Sequence, residues 1–176
     1  MRGMRRLGLV GALLAALLAT GCHVKVPGVR QAANPCTVLG PSRLAHLAHA
    51  PGAVTQKPLF FSQAQDCEFK ASRGLPVVVL GTFDGAHLDF SDQVGKTAGR
   101  YHADDVHSAH VRGAEQAASM RATFNGVRVP VLMARHDGYI SLVIVITRSR
   151  ARSVSIERAT MAALVRASNA AELRAS

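Results

Sequence analysis

The chain has no apolar run long enough to cross a bilayer as a helix. Its N-terminal run, Leu7 to Ala19, is about a dozen residues where a span needs about 20, and His23 and Lys25 follow too soon to extend it. There is no Gly-x-Ser-x-Gly elbow to present a serine nucleophile. Val94 to Thr97, "VGKT", is not a phosphate loop, because the position five residues before Gly95 is Phe90 rather than glycine. Internal repeats and the usual nucleic-acid recognition motifs are missing too. Acidic side chains are scarce, 11 Asp plus Glu against 21 Lys plus Arg, for a formal charge of +10. Cysteine is scarcer still, and its three copies are an odd number.

What is present begins with "MRGMRRLGLVGALLAALLATGC". Arg2, Arg5 and Arg6 form a basic head before the uncharged apolar run, the layout of a secretory signal. The run closes on Leu18-Ala19-Thr20-Gly21-Cys22, which resembles the bacterial lipobox, Leu-small-small-Gly/Ala-Cys. That resemblance implies a diacylglycerol on the Cys22 thiol, cleavage just before it, and an acyl anchor worth about 0.8 kcal/mol per buried CH₂. The expectation is a signal peptide over 1–21, an acylated Cys22 with a tether over 22–34, and one globular domain over 35–176, held at the outer face of the cell membrane.

Removal of 21 residues from 176 leaves 155, the size of one ordinary domain. That part keeps 18 basic residues against the same 11 acidic ones. Such a surface suits anionic lipid head groups or acidic envelope polymers. Export argues against nucleic acid. A plain solvated surface is the other reading, since most of the basic residues stand singly. With Cys22 acylated, Cys36 and Cys67 are left to form one disulfide in an oxidising compartment.

Along the mature chain, Gly40-Pro41 opens a short helix with Leu44, Leu47 and Ala48 on one face, ended by Pro51-Gly52. Residues 53–65 read as loop, with Phe60 and Phe61 as packing anchors. Cys67 to Ala71 and the β-branched run Leu75 to Phe83 read as strands. Asp89 to Ala98 suits a helix and His107 to Arg112 a further strand. The clearest local signal is "VRVPVLMARHDGYISLVIVIT", two apolar runs about Asp137-Gly138, a pair that favours a type I′ turn. Pairing outward sets His136 opposite Tyr139, Met133 opposite Leu142 and Val131 opposite Ile144. Val129, Val131 and Met133 then share a buried face with Ile140, Leu142, Ile144 and Ile146. Pro130 has no N–H, which predicts an edge or a bulge in that strand. Ser155 is placed to cap a last helix, Ile156 to about Leu173, with Glu157 in its first turn. The predicted class is α+β: an antiparallel sheet with helices mainly on one face.

"NPCTVLGPSRLAHLA" (Asn34 to Ala48) resembles the opening of a group of uncharacterised actinobacterial lipoproteins. Their domains begin Asp/Asn-Pro-Cys, with a second Cys about 30 residues on, here Cys67 in "QDCEF". A hydrophobic hairpin and an Ala-rich C-terminal helix close such domains. The resemblance implies a lipid anchor and one disulfide, and it supplies no activity.

The candidate chemistry is the cluster "YHADDVHSAH", with His102, Asp104, Asp105, His107 and His110. Imidazole and carboxylate suit Zn²⁺ or Cu²⁺. On a helix His107 and His110 would share a face; on a strand they would not. The alternative is a polar loop with solvated histidines. The expected function is a membrane-anchored, non-enzymatic envelope lipoprotein. It would need no cofactor and would bind a lipid, a glycan or a partner protein. A metal-binding lipoprotein using His102, His107 and His110 is the second expectation.

Overall fold

In the computed structural model, residues 32–56, 64–124 and 126–175 are described, with side chains through residue 170. Cys22, Phe60, Phe61 and the signal segment lie outside the described residues.

The elements, in chain order, are α1 (Pro35–Leu39), α2 (Pro41–Ala48), β1 (Gly52–Gln56), β2 (Gln65–Ala71), β3 (Val77–Asp84), α3 (Phe90–Arg100), β4 (Asp104–Ser108), β5 (Gln116–Phe124), β6 (Val127–His136), β7 (Tyr139–Ile146) and α4 (Arg150–Ala175). The seven strands form one antiparallel sheet in the order β1-β2-β3-β7-β6-β5-β4. Two meanders thus meet at β3 and β7. The helix α3 carries the chain from the middle of the sheet to its far edge, and β4 to β7 step back towards β3.

Each face of the sheet has its own core. On one, α1, α2 and α4 bring Leu39, Leu44, Ile156, Met161 and Leu164 against Phe69, Leu80, Leu132, Val143 and Val145. On the other, Phe90 and Val94 of α3 join Val79, Phe83, Met120, Val131, Met133, Leu142 and Ile144. Strand β7 alternates Ile140, Leu142 and Ile144 on one face with Ser141, Val143 and Val145 on the other, all of them buried. Such a strand, mostly apolar and buried on both faces, belongs at the centre of the sheet. The architecture is α+β, with three of the four helices among the described residues on one face.

The Cys36–Cys67 disulfide forms, with 6.1 Å between Cα atoms, and staples α1 to β2. The hairpin has the expected register, His136 opposite Tyr139, Met133 opposite Leu142 and Val131 opposite Ile144. Asp137 and Gly138 have φ of 50° and 76°, the two positive values a type I′ turn requires. Asp89 caps α3, its carboxylate accepting from the Asp92 N–H at 2.9 Å.

Several boundaries differ from the sequence reading. Asn34, assigned to the tether, caps α1 by accepting from the N–H groups of Cys36 and Thr37, and Ala32 is already buried. Of the segment 53–65, read as loop, 53–56 lie in the edge strand β1; its "GAVTQ" shows no apolar alternation because an edge strand leaves most side chains in water. The strand expected over His107 to Arg112 lies earlier, at Asp104–Ser108, and is exposed along its whole length. Strand β5, rich in Ala, Ser and Thr, carried no recognisable signal. Strand β6 is interior, between β7 and β5, and its ladder with β5 runs through Pro130 without a shift of register, although Pro130 predicted an edge or a bulge. The β6–β7 ladder starts only at Val131, so the missing N–H falls where one of its neighbours has already left. Finally α4 starts at Arg150, since Arg and Ala extend a helix readily. Ser155 is therefore inside the helix and not its cap, and Glu157 is buried in a later turn.

Candidate functional site

The departure of β7 from β6 opens the site. Beyond Ile146 the chain turns through Thr147, whose hydroxyl donates to the Ser149 carbonyl at 2.6 Å, and enters α4. The first helical bond runs from Ser153 N–H to Ser149 O, and the Ser153 hydroxyl donates to the Val145 carbonyl at 2.6 Å, pinning the helix start on β7. From there α4 packs along β6 and β7. The ends of β4, β5 and β6 beside it stay open as a groove of about 450 Å³.

The groove is basic. Arg121 of β5, Arg128 of β6, and Arg148, Arg150 and Arg158 at the start of α4 all line it, and Asp105 is its one acidic lining residue. Arg121 Nε lies 3.2 Å from the Asp105 carboxylate, and Arg128 pairs with Asp104. These pairs tie the edge strand β4 to β5 and β6. Arg148, Arg150 and Arg158 are exposed and have no acidic partner among the described residues. The first turn of α4 holds no acidic residue either. Arg148, just before the helix, and Arg150, its first residue, sit at the positive end of the helix dipole, the end that favours anions.

The three candidate histidines are not brought together. His102 lies just after α3 with φ of 46°, His110 lies exposed in the β4–β5 connection, and of the three only His107 reaches the groove. The Nδ1 atom of His107 lies 2.8 Å from the Asp105 carbonyl oxygen. Among the described residues no group of three or more His, Cys, Asp or Glu is placed to hold a metal ion.

Three buried titratable side chains, Asp66, His136 and Glu157, were not read as site candidates from the sequence. His136 Nε2 lies 2.8 Å from Ser141 Oγ, which lies 3.0 Å from Thr82 Oγ1. The pairing of imidazole and serine has the form of a base and a nucleophile, but Ser141 is 0 % and His136 1 % exposed, so no substrate reaches it. Burial lowers the His136 pKa, opposed by Asp137 and Glu115. Glu157 is 2 % exposed with Oε1 unpartnered among the described residues, and burial pushes its carboxyl up to about 8 against a smaller opposing effect of Arg158.

The arginine groove was also missed as a site. Its signal is "TRSRARS" (Thr147 to Ser153), followed by Arg158. Arg150, Val154 and Arg158 recur at four-residue spacing, one helix face. The contributions of Arg121 and Arg128 depend on the β4–β5–β6 pairing, which no local pattern revealed.

No known family, curated protein or solved structure matches this chain. Among the described residues no helix is long and apolar enough to cross a membrane.

Proposed function

We propose that this chain is a membrane-anchored cell-envelope lipoprotein, related to the actinobacterial group it resembles, whose domain binds a lipid, a glycan or a partner protein and is not an enzyme. The observation that carries the reading is the Cys36–Cys67 bridge. It suits an oxidising compartment, and of three cysteines it leaves only Cys22, the last residue of the lipobox-like segment, for acylation. Enclosure of the Ser141–His136 pair supports binding over hydrolysis. The test is mass spectrometry of the chain purified from membranes of a bacterium that processes lipoproteins. The expected mature N-terminus is a thioether-acylated Cys22. An unmodified Cys22 thiol, or a mature chain starting elsewhere, overturns the reading.

A further inference from the structure

We propose that the groove beside the start of α4 is a phosphoryl-binding site, with Arg148, Arg150 and Arg158 contacting the anion directly. The inference deepens the binding reading above and rests on it, but not on the lipid anchor.

The argument is one of uncompensated charge in a formed concavity. Five guanidinium groups line one groove of about 450 Å³ with a single lining carboxylate. Two of the five, Arg121 and Arg128, are committed to Asp105 and Asp104. Those pairs hold the strand wall rigid and still leave each guanidinium with further N–H donors, since a guanidinium carries five. The other three make no ion pair among the described residues, and Glu157, the acid beside Arg158, is buried with its carboxyl pushed up to about 8. Arg148 stands just before a 26-residue helix and Arg150 opens it, where the backbone N–H groups add to the positive potential, while Arg158 stands about two turns further along. Like charges gathered at a helix start that favours the opposite sign oppose local stability. Departures of this kind from local preference mark functional sites. Guanidinium forks match phosphoryl oxygens in pairs, which selects a phosphoryl group over a halide or a neutral sugar. The groove is larger than one phosphate, and Val127, Pro130 and Val154 supply apolar lining for the remainder of a phosphate ester. The same chemistry is offered by an anionic lipid head group and by a soluble phosphate ester.

The test uses the full chain in nanodiscs, as wild type, as the triple variant Arg148→Gln/Arg150→Gln/Arg158→Gln, and as a charge-matched control, Arg43→Gln/Arg112→Gln/Arg166→Gln, at exposed positions outside the groove. In the first arm, glycerol 3-phosphate is titrated calorimetrically onto the chain in neutral phosphatidylcholine discs. In the second, thermal melting is compared between phosphatidylcholine discs and discs containing phosphatidylglycerol. Circular dichroism establishes that each variant is folded. Affinity for the soluble ester that falls at least about tenfold in the groove variant and not in the control supports the site with a soluble ligand. A melting shift with phosphatidylglycerol alone, lost only in the groove variant, supports it with a lipid head group. Equal losses in both variants reduce the effect to bulk charge and overturn the proposal. No response in either arm also overturns it, while an acylated Cys22 would leave the anchored-lipoprotein reading standing.

Discussion

His136 Nε2 lies 2.8 Å from Ser141 Oγ, beneath α4 and sealed from water. The pair is the buried end of the hairpin, adjacent to its Asp137-Gly138 turn, and it makes fold stability depend on one imidazole remaining neutral. Burial is the main cause of the lowered pKa, so the unfolded chain takes up the proton first as acid is added. The stabilisation is complete above the unfolded value of about 6.5 and is lost as pH falls below it. His136→Gln, which keeps a donor for Ser141 but does not titrate, is expected to be less stable at pH 7 and to show a shallower loss between pH 6.5 and 5. Urea denaturation followed by circular dichroism at several pH values checks this; equal slopes for both chains would count against it.

Glu157 acts with the opposite sign. Its folded value of about 8 exceeds the ordinary 4.5, so between those values the folded chain holds a proton that the unfolded chain releases. Stability is undiminished below about 4.5 and falls as pH rises towards 8. The penalty at pH 7 is on the order of 3 kcal/mol, large beside the total stability of a domain. Glu157→Gln is expected to raise the urea midpoint at pH 8 and change it little at pH 5. A midpoint gain of the same size at both pH values would show that the carboxyl is not protonated in the fold.

These two groups also show where sequence reading stops. The hairpin was legible residue by residue because a two-residue turn and a period of two leave only one register that buries the apolar face. The disulfide was legible from a count of three. Glu157 was misplaced because six residues from Arg150 to Ser155 extend the helix towards its N-terminus. That shift converts a favourable first-turn acid into a buried one. Strands β4 and β5 were illegible for a different reason: an exposed edge and an Ala/Ser/Thr-rich neighbour carry no alternation. The groove inherits that blindness, since two of its five arginines, Arg121 and Arg128, are placed by strand pairing and only Arg150 and Arg158 by a helix repeat.

The bridge between Cys36 and Cys67 closes a loop of sequence separation 31. Restricting a loop of that size in the unfolded chain stabilises the fold by roughly 3 to 4 kcal/mol. The double variant Cys36→Ala/Cys67→Ala is expected to unfold at lower urea by about that amount, since both sulfurs are buried as well. Hydrogen exchange should show the loss first in α1 and the β1–β2 edge, which the bridge fastens to the rest. Unchanged exchange there would assign the stabilisation to packing alone.

Two glycines, Gly138 in the hairpin turn and Gly85 beside it, allow backbone and packing costs to be separated. Gly85 N–H donates to the Gly138 carbonyl at 2.8 Å, so the β3–α3 connection is held against the β6–β7 turn. At Gly138 the backbone has φ of 76°, and an added Cβ would come no closer than 3.5 Å to Ala86. Gly138→Ala therefore carries a conformational cost only, about 1 to 2 kcal/mol. Gly85 has no positive φ, but its Cβ would lie 2.5 Å from Ile140 Cγ1 and 3.2 Å from the Ile140 nitrogen. Ile140 is fully buried on β7 and cannot swing out, so the strand itself must give. Overpacking of this kind costs about 1 to 3 kcal/mol, here at the upper end. Gly85→Ala is thus expected to destabilise more than Gly138→Ala, and Ile140→Ala, which removes Cγ1 together with Cδ1, should partly rescue the first and not the second. Urea midpoints of the three single and two double variants measure this. Equal rescue in both backgrounds would mean that the Gly85 position is limited by its backbone and not by Ile140.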